Sequence, residues 1–198
     1  MPPRREPRRR PRGAVHEARL RVLVVCGAEK TESAYFKGLC TSRGKSAVNV
    51  VIMEKGRSAP DQVVRFAELK MASGDFDEAW CVVDVDDFER DGAKISAADR
   101  LAGRRGIKLA VSNPCFELWL LLHHADCTSH CADCRAVVSL LKRQLPAYDK
   151  TKLIFKPFGG NVSKAVERAR RLDPSGADHT VNPSTGVWRL VVTIMEQS

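Results

Sequence analysis

Four consecutive residues, Trp80-Cys81-Val82-Val83, are apolar whichever way the side chains of a strand alternate, and they run directly into Asp84-Val85-Asp86-Asp87. A strand with two apolar faces must be covered on both, which is the habit of a parallel sheet flanked by helices. The rest of the chain supplies such a setting. Arg21 to Cys26 reads as a second apolar strand, followed by a tight turn at Gly27-Ala28 and a helix from about Thr31 to Cys40 with Tyr35, Phe36 and Leu39 on one side. Val48 to Met53 is a β-branched run, and Ser58-Ala59-Pro60-Asp61 opens a helix carrying Val63, Phe66 and Ala67. Ile107 to Val111 reads as a fourth strand. Strands alternating with helices predict a doubly wound, Rossmann-like α/β fold: a parallel four-stranded sheet with helices on both faces. Pro114–His124, roughly Ala132–Leu145, Asn161–Leu172 and Pro183–Glu196 read as helices, the first with Asn113 as its cap and Pro114 in its first turn, so the C-terminal half is mostly helical. Sheets of this kind place their sites at the carboxyl ends of the strands, which is where Asp84 to Asp87 falls.

The formal net charge of +9 is unevenly placed, because residues 1–21 hold eight arginines against Glu6 and Glu17. Residues 1–18 show no hydrophobic periodicity and read as a disordered basic arm. Its electrostatic partner would be nucleic acid; the plainer reading is a solvated terminus. Residues 19–198 are expected to form one domain. No apolar run approaches the ~18–20 residues that span a bilayer, and the Arg- and Pro-rich start lacks the apolar core of a secretory signal. A cytoplasmic location follows as the expectation, with no membrane partner. The seven cysteines are then expected as reduced thiols or metal ligands, not as a disulfide framework.

Three clusters can carry chemistry. Alternation puts Asp84 and Asp86 on one strand face and Asp87 on the other. Carboxylates this dense repel one another unless a hard cation such as Mg²⁺ (or Mn²⁺) relieves them; a solvated acidic turn is the alternative. Glu117 is the only charged side chain in an otherwise apolar helix before His123, so it needs an arginine partner or a metal. Lys150, in the Tyr148-Asp149-Lys150 loop, is placed to contact phosphate. Finally, Cys127, His130, Cys131 and Cys134 offer tetrahedral Zn²⁺ ligands, or a loop with incidental thiols. Gly159-Gly160 lacks the spacing of a P-loop, and no G-x-S-x-G elbow supports a serine hydrolase.

The ordered set Cys-x-x-Glu-Lys-Thr-Glu (26–32), Val-Val-Asp-Val-Asp-Asp (82–87), Ser-Asn-Pro-Cys-Phe-Glu-Leu-Trp-Leu-Leu-Leu-His (112–123), Tyr-Asp-Lys (148–150) and Asn-Pro-Ser-Thr (182–185) resembles the RloB-like family, also called AbiLii-like, over roughly residues 18–196. The resemblance implies a Toprim-like fold related to the nuclease domains of the OLD family. It implies a bacterial anti-phage, abortive-infection-type component working with an ABC-type or OLD-like ATPase encoded nearby, and acting on DNA or RNA with Mg²⁺; an oligomer is compatible with this. The D-x-D that binds the metal in Toprim enzymes matches Asp84 and Asp86. The glutamate that follows the first strand, a general acid/base, does not: the family reads Cys-Glu-Gly-Glu-Lys-Thr-Glu where this chain has Gly27. Either Glu29 stands in, with Asp84, Asp86, Glu117 and Lys150 completing the catalytic set, or the domain is a degenerate subunit that binds nucleic acid or a partner protein without cleaving.

Overall fold

The computed structural model describes residues 20–27, 30–44, 48–56, 58–85 and 93–196. The arm read over residues 1–18, and the candidate residues Glu29, Asp86 and Asp87, lie outside them. Four parallel strands, β1 (Leu20–Cys26), β2 (Val48–Glu54), β3 (Glu78–Asp84) and β4 (Lys108–Asn113), form a sheet in the order β2-β1-β3-β4, extended at its edge by β5 (Ser184–Thr185). The helices α1 (Thr31–Ser42), α2 (Pro60–Ser73) and α3 (Ala93–Arg104) connect successive strands. After β4 come α4 (Glu117–Leu122), α5 (Cys134–Gln144), the single turn α6 (Lys156–Gly159), α7 (Val162–Leu172) and α8 (Val187–Glu196).

The two-sided apolarity of the central strands divides the interior into two cores. Val22, Val24 and Cys26 of β1, with Trp80 and Val82 of β3, pack against α1, α4, α7 and α8. Their neighbours Leu23, Val25, Cys81 and Val83 point the other way, onto Val63, Val64 and Ala67 of α2 and Ile95 and Ala98 of α3. Successive residues of one strand thus serve opposite layers. Tyr35 binds α1 to the C-terminal helices: its hydroxyl lies 3.0 Å from His123 Nε2, and its ring meets Phe36, Phe116, Trp119, Phe155 and Phe158. Burial presses the His123 pKa down to about 3, so the ring is a neutral core element near pH 7.

Three expectations need correcting. The sheet has a fifth strand, because Ser184–Thr185 pairs antiparallel with β4 and the Thr185 hydroxyl meets that of Ser112 at 2.9 Å. The final helix therefore starts at Val187, not at Pro183. The helix expected from Pro114 starts at Glu117: β4 runs on through Asn113, a cis peptide joins Asn113 to Pro114, and the Asn113 side chain bonds His179 and Asn182 instead of capping. No helix among the described residues is long and apolar enough to cross a membrane.

Candidate metal-binding site

Glu32 is the second residue of α1, Asp84 the last of β3 and Glu117 the first of α4. All three are buried. They meet at the carboxyl end of the sheet where β1 lies beside β3 while α1 and α3, the helices that follow them, cover opposite faces. That is a topological switch point, the usual crevice of an open α/β sheet. The first turn of a 12-residue helix is a favourable place for the Glu32 charge, since the backbone dipoles present their positive end there. Its position is fixed on both flanks: Thr31 Oγ1 donates to the Lys150 carbonyl at 3.0 Å, and Ser33 Oγ donates to Glu54 at 2.6 Å.

Asp84 is the electrostatic centre of the group. Burial first, then the charges of Glu32 and Glu117, push its carboxyl well above the ordinary carboxylate range, while the Phe116 backbone N–H and Lys150 oppose the shift. Its Oδ1 is buried with no hydrogen-bond partner among the described residues. Glu117 is better provided. Its Oε1 accepts from Tyr148 Oη at 3.1 Å and lies 3.2 Å from Lys150 Nζ, and its Oε2 lies 3.2 Å from Cys134 Sγ. The Lys150 side chain is 59% exposed, against 1% for Glu117, so the ammonium reaches in from solvent.

Of the residues read from the sequence, Asp84, Glu117 and Lys150 are brought together here. Glu32 and Tyr148 were not among the expected site residues. Glu32 had a readable signal: it falls on the same helical stripe as Tyr35, Phe36 and Leu39, at i, i+3, i+4 and i+7, so it had to be buried. Gly27 extends the β1–β3 ladder, donating to Val82 O at 2.9 Å. A Cβ there would sit 3.1 Å from that carbonyl and 3.4 Å from Val63 and Val83. A side chain at 27 would therefore leave toward α2, on the side away from Glu32.

The cysteines depart from expectation. Cys115 and Cys134 form a disulfide, contrary to the reading of the cysteines as reduced thiols or metal ligands; the fold joins two positions 19 residues apart that show no paired spacing. The Zn²⁺ set of Cys127, His130, Cys131 and Cys134 is not gathered, since Cys134 is bonded elsewhere and His130 is exposed. Cys127 and Cys131 do face each other, at 3.5 Å. Among the described residues, the three ligand-type side chains with donor atoms all within 4.8 Å are Cys115, Glu117 and Cys134. Glu32, Asp84 and Glu117 form a looser group. A hard cation that keeps part of its water shell takes only one or two carboxylates directly and needs no closed protein cage. The orphaned, buried Asp84 oxygen fits such an ion, because a buried anionic oxygen otherwise goes uncompensated.

A family model described as RloB-like protein matches residues 22–194. Comparison with curated proteins and with solved structures gave no match.

Proposed function

The chain belongs to the RloB-like family, and we propose that it is a phage-defence protein whose Glu32–Asp84–Glu117 centre holds Mg²⁺ or Mn²⁺ and hydrolyses phosphodiester bonds of DNA or RNA. The observation that carries the reading is Asp84: a strand-end carboxylate, buried beside two more, with one oxygen unsatisfied among the described residues. A divalent cation bound here supplies charge neutralisation, polarisation of a phosphoryl oxygen and an acidified water.

The chain's own residues then divide the remaining work. Asp84 and Glu117 would hold the cation, with Glu32 beside Asp84 on α1; Asp86 and Asp87 follow Asp84 in sequence. Glu29, two residues past Gly27, takes the proton of the attacking water. Lys150 is held over the centre by Glu117 with its side chain 59% exposed, where its ammonium would meet an incoming phosphate. The basic arm adds sequence-independent attraction to the backbone, and an ABC-type ATPase is the proposed partner. Purified protein should nick DNA or RNA with Mg²⁺ or Mn²⁺ and lose this on Asp84→Ala; cleavage that persists in EDTA refutes the reading.

A second reading rests on Gly27, which carries no carboxylate where the family pattern has one. On that reading the domain binds metal and nucleic acid but leaves cleavage undone. Salt-sensitive binding without cleavage under any divalent metal, with the ATPase present, would select it.

A further inference from the structure

The Cys115–Cys134 disulfide ties the loop before α4 to the first residue of α5, and its sulfurs and a Glu117 carboxylate oxygen lie within 4.8 Å of one another. The bond therefore sits directly on a side chain of the carboxylate centre. We propose that Cys115 and Cys134 form a reversible dithiol–disulfide site, oxidised by a peroxide and reduced by a dithiol, that sets how tightly Glu117 holds a divalent cation. The inference rests on the reading of Glu117 as a metal ligand given above.

Position and exposure support the chemistry. The Cα atoms are 5.6 Å apart, an ordinary disulfide span, so the reduced sulfurs already face each other without backbone movement. Cys134 is half-buried and Cys115 is 2% exposed; an oxidant from solvent reaches Cys134 first, and Cys115 is the resolving thiol behind it. The Cys134 thiol attacks the peroxide oxygen, the O–O bond breaks, and a sulfenic acid and an alcohol (water, for hydrogen peroxide) result. The Cys115 sulfur then attacks the sulfenic sulfur, forming the S–S bond and releasing water. Two thiol protons and two electrons have passed to the peroxide. A dithiol returns both, becoming a disulfide itself. In reducing compartments, disulfides that do form are characteristically transient and redox-sensing.

The coupling to the metal follows from hydrogen positions. In the disulfide, Cys134 Sγ carries no proton, so its 3.2 Å approach to Glu117 Oε2 is a contact between sulfur and a bare carboxylate oxygen. The other oxygen, Oε1, is engaged by Tyr148 and Lys150. Oε2 is thus the atom left to a cation. Reduction returns a thiol hydrogen aimed at Oε2, which an incoming ion must displace. Losing one weak hydrogen bond of this kind corresponds to about a five-fold tighter cation affinity in the oxidised form.

The test uses the full chain in two states, reduced with dithiothreitol and treated with hydrogen peroxide. Peptide mass mapping reads the linkage, and Mn²⁺ titration followed by electron paramagnetic resonance reads affinity. The expected result is a Cys115–Cys134 peptide lighter by two hydrogens, with Cys26 and Cys81 still alkylatable after denaturation, and Mn²⁺ bound about five-fold more tightly. Cys134→Ser, whose hydroxyl still donates to Oε2, should keep the reduced form's affinity with or without peroxide. Free thiols at both positions after peroxide, linkage to another cysteine, or equal affinity in the two states would overturn the inference. Absence of Mn²⁺ binding in both states, with the linkage formed, would instead contradict the metal reading and the coupling built on it. Absence of linkage with Mn²⁺ bound would contradict this inference alone.

Discussion

Asp84→Asn should stabilise the metal-free protein while removing its response to divalent cations. Asp84 Oδ1 is buried without a hydrogen bond among the described residues, and two neighbouring carboxylates repel it. A buried polar atom left unpaired costs about 1–3 kcal/mol, and a charge more. Asparagine keeps the shape and removes the charge together with its repulsion by Glu32 and Glu117, so a gain of roughly that size is expected. In a chain of this size about 1 kcal/mol moves the melting temperature by about 2–4 °C, giving an expected gain of about 2–12 °C. The pH dependence has a definite sign. The folded Asp84 carboxyl has a raised pKa, so between the ordinary value of 3.8 and the raised one the folded state holds a proton that the unfolded chain has lost. Wild-type stability therefore falls as pH rises through that window, and the advantage of the variant should grow from acid to neutral pH. Glu117→Gln is the contrast at the same site: it replaces a charged acceptor for Tyr148 and Lys150 by a neutral amide oxygen and should destabilise by about 1–2 kcal/mol, a modest value because Lys150 is mostly solvated. Calorimetric melts in EDTA from pH 4 to 8 distinguish the cases. A variant at Asp84 that melts below wild type at pH 8, or a difference that does not change with pH, would refute the argument.

Three further outcomes are expected. Tyr35→Phe leaves His123 Nε2 without its 3.0 Å partner in a closed aromatic cage and should cost about 1–3 kcal/mol in urea denaturation. Gly27→Glu should bring no gain in cleavage, because a Cβ there faces Val82 O, Val63 and Val83 and not the Glu32 side of the centre; a gain in metal-dependent nicking would show that the missing glutamate was the limiting element. Deleting residues 2–18 should weaken nucleic-acid binding and flatten its dependence on salt, read as the slope of log affinity against log salt concentration, since six arginines lie among residues 2–18.

The layered α/β core was legible because its strands advertise themselves: Leu23 and Val24 of β1, or Cys81 and Val82 of β3, point to opposite layers and are all apolar. What stayed hidden was short or set by tertiary contact. Ser184–Thr185 is two residues long and becomes a strand only by meeting Ser112 and Asn113. Helix α3 buries Ile95, Leu101 and two alanines, a faint stripe beside the acidic run that precedes it. Asn113 resembled a helix cap in sequence, yet its side chain is taken up by His179 and Asn182, more than sixty positions away. Asp84 and Glu117 were readable as candidates because charge in an apolar run demands compensation. Glu32 was less so, because a glutamate in the first turn of a helix is ordinarily solvated. The Cys115–Cys134 pair carries no spacing rule at all; only the packing of α4 against α5 creates it.

The central claim is that the buried carboxylates at the end of β3 hold a divalent cation, and a Mn²⁺ titration followed by electron paramagnetic resonance tests it without depending on substrate or partner. Wild type should bind Mn²⁺ and give it up to excess Mg²⁺, Glu32→Gln should bind at least about ten-fold more weakly, and Asp84→Asn should show no specific binding. A wild-type protein that leaves all Mn²⁺ free, or an Asp84→Asn variant that binds it as well as wild type does, would contradict the account.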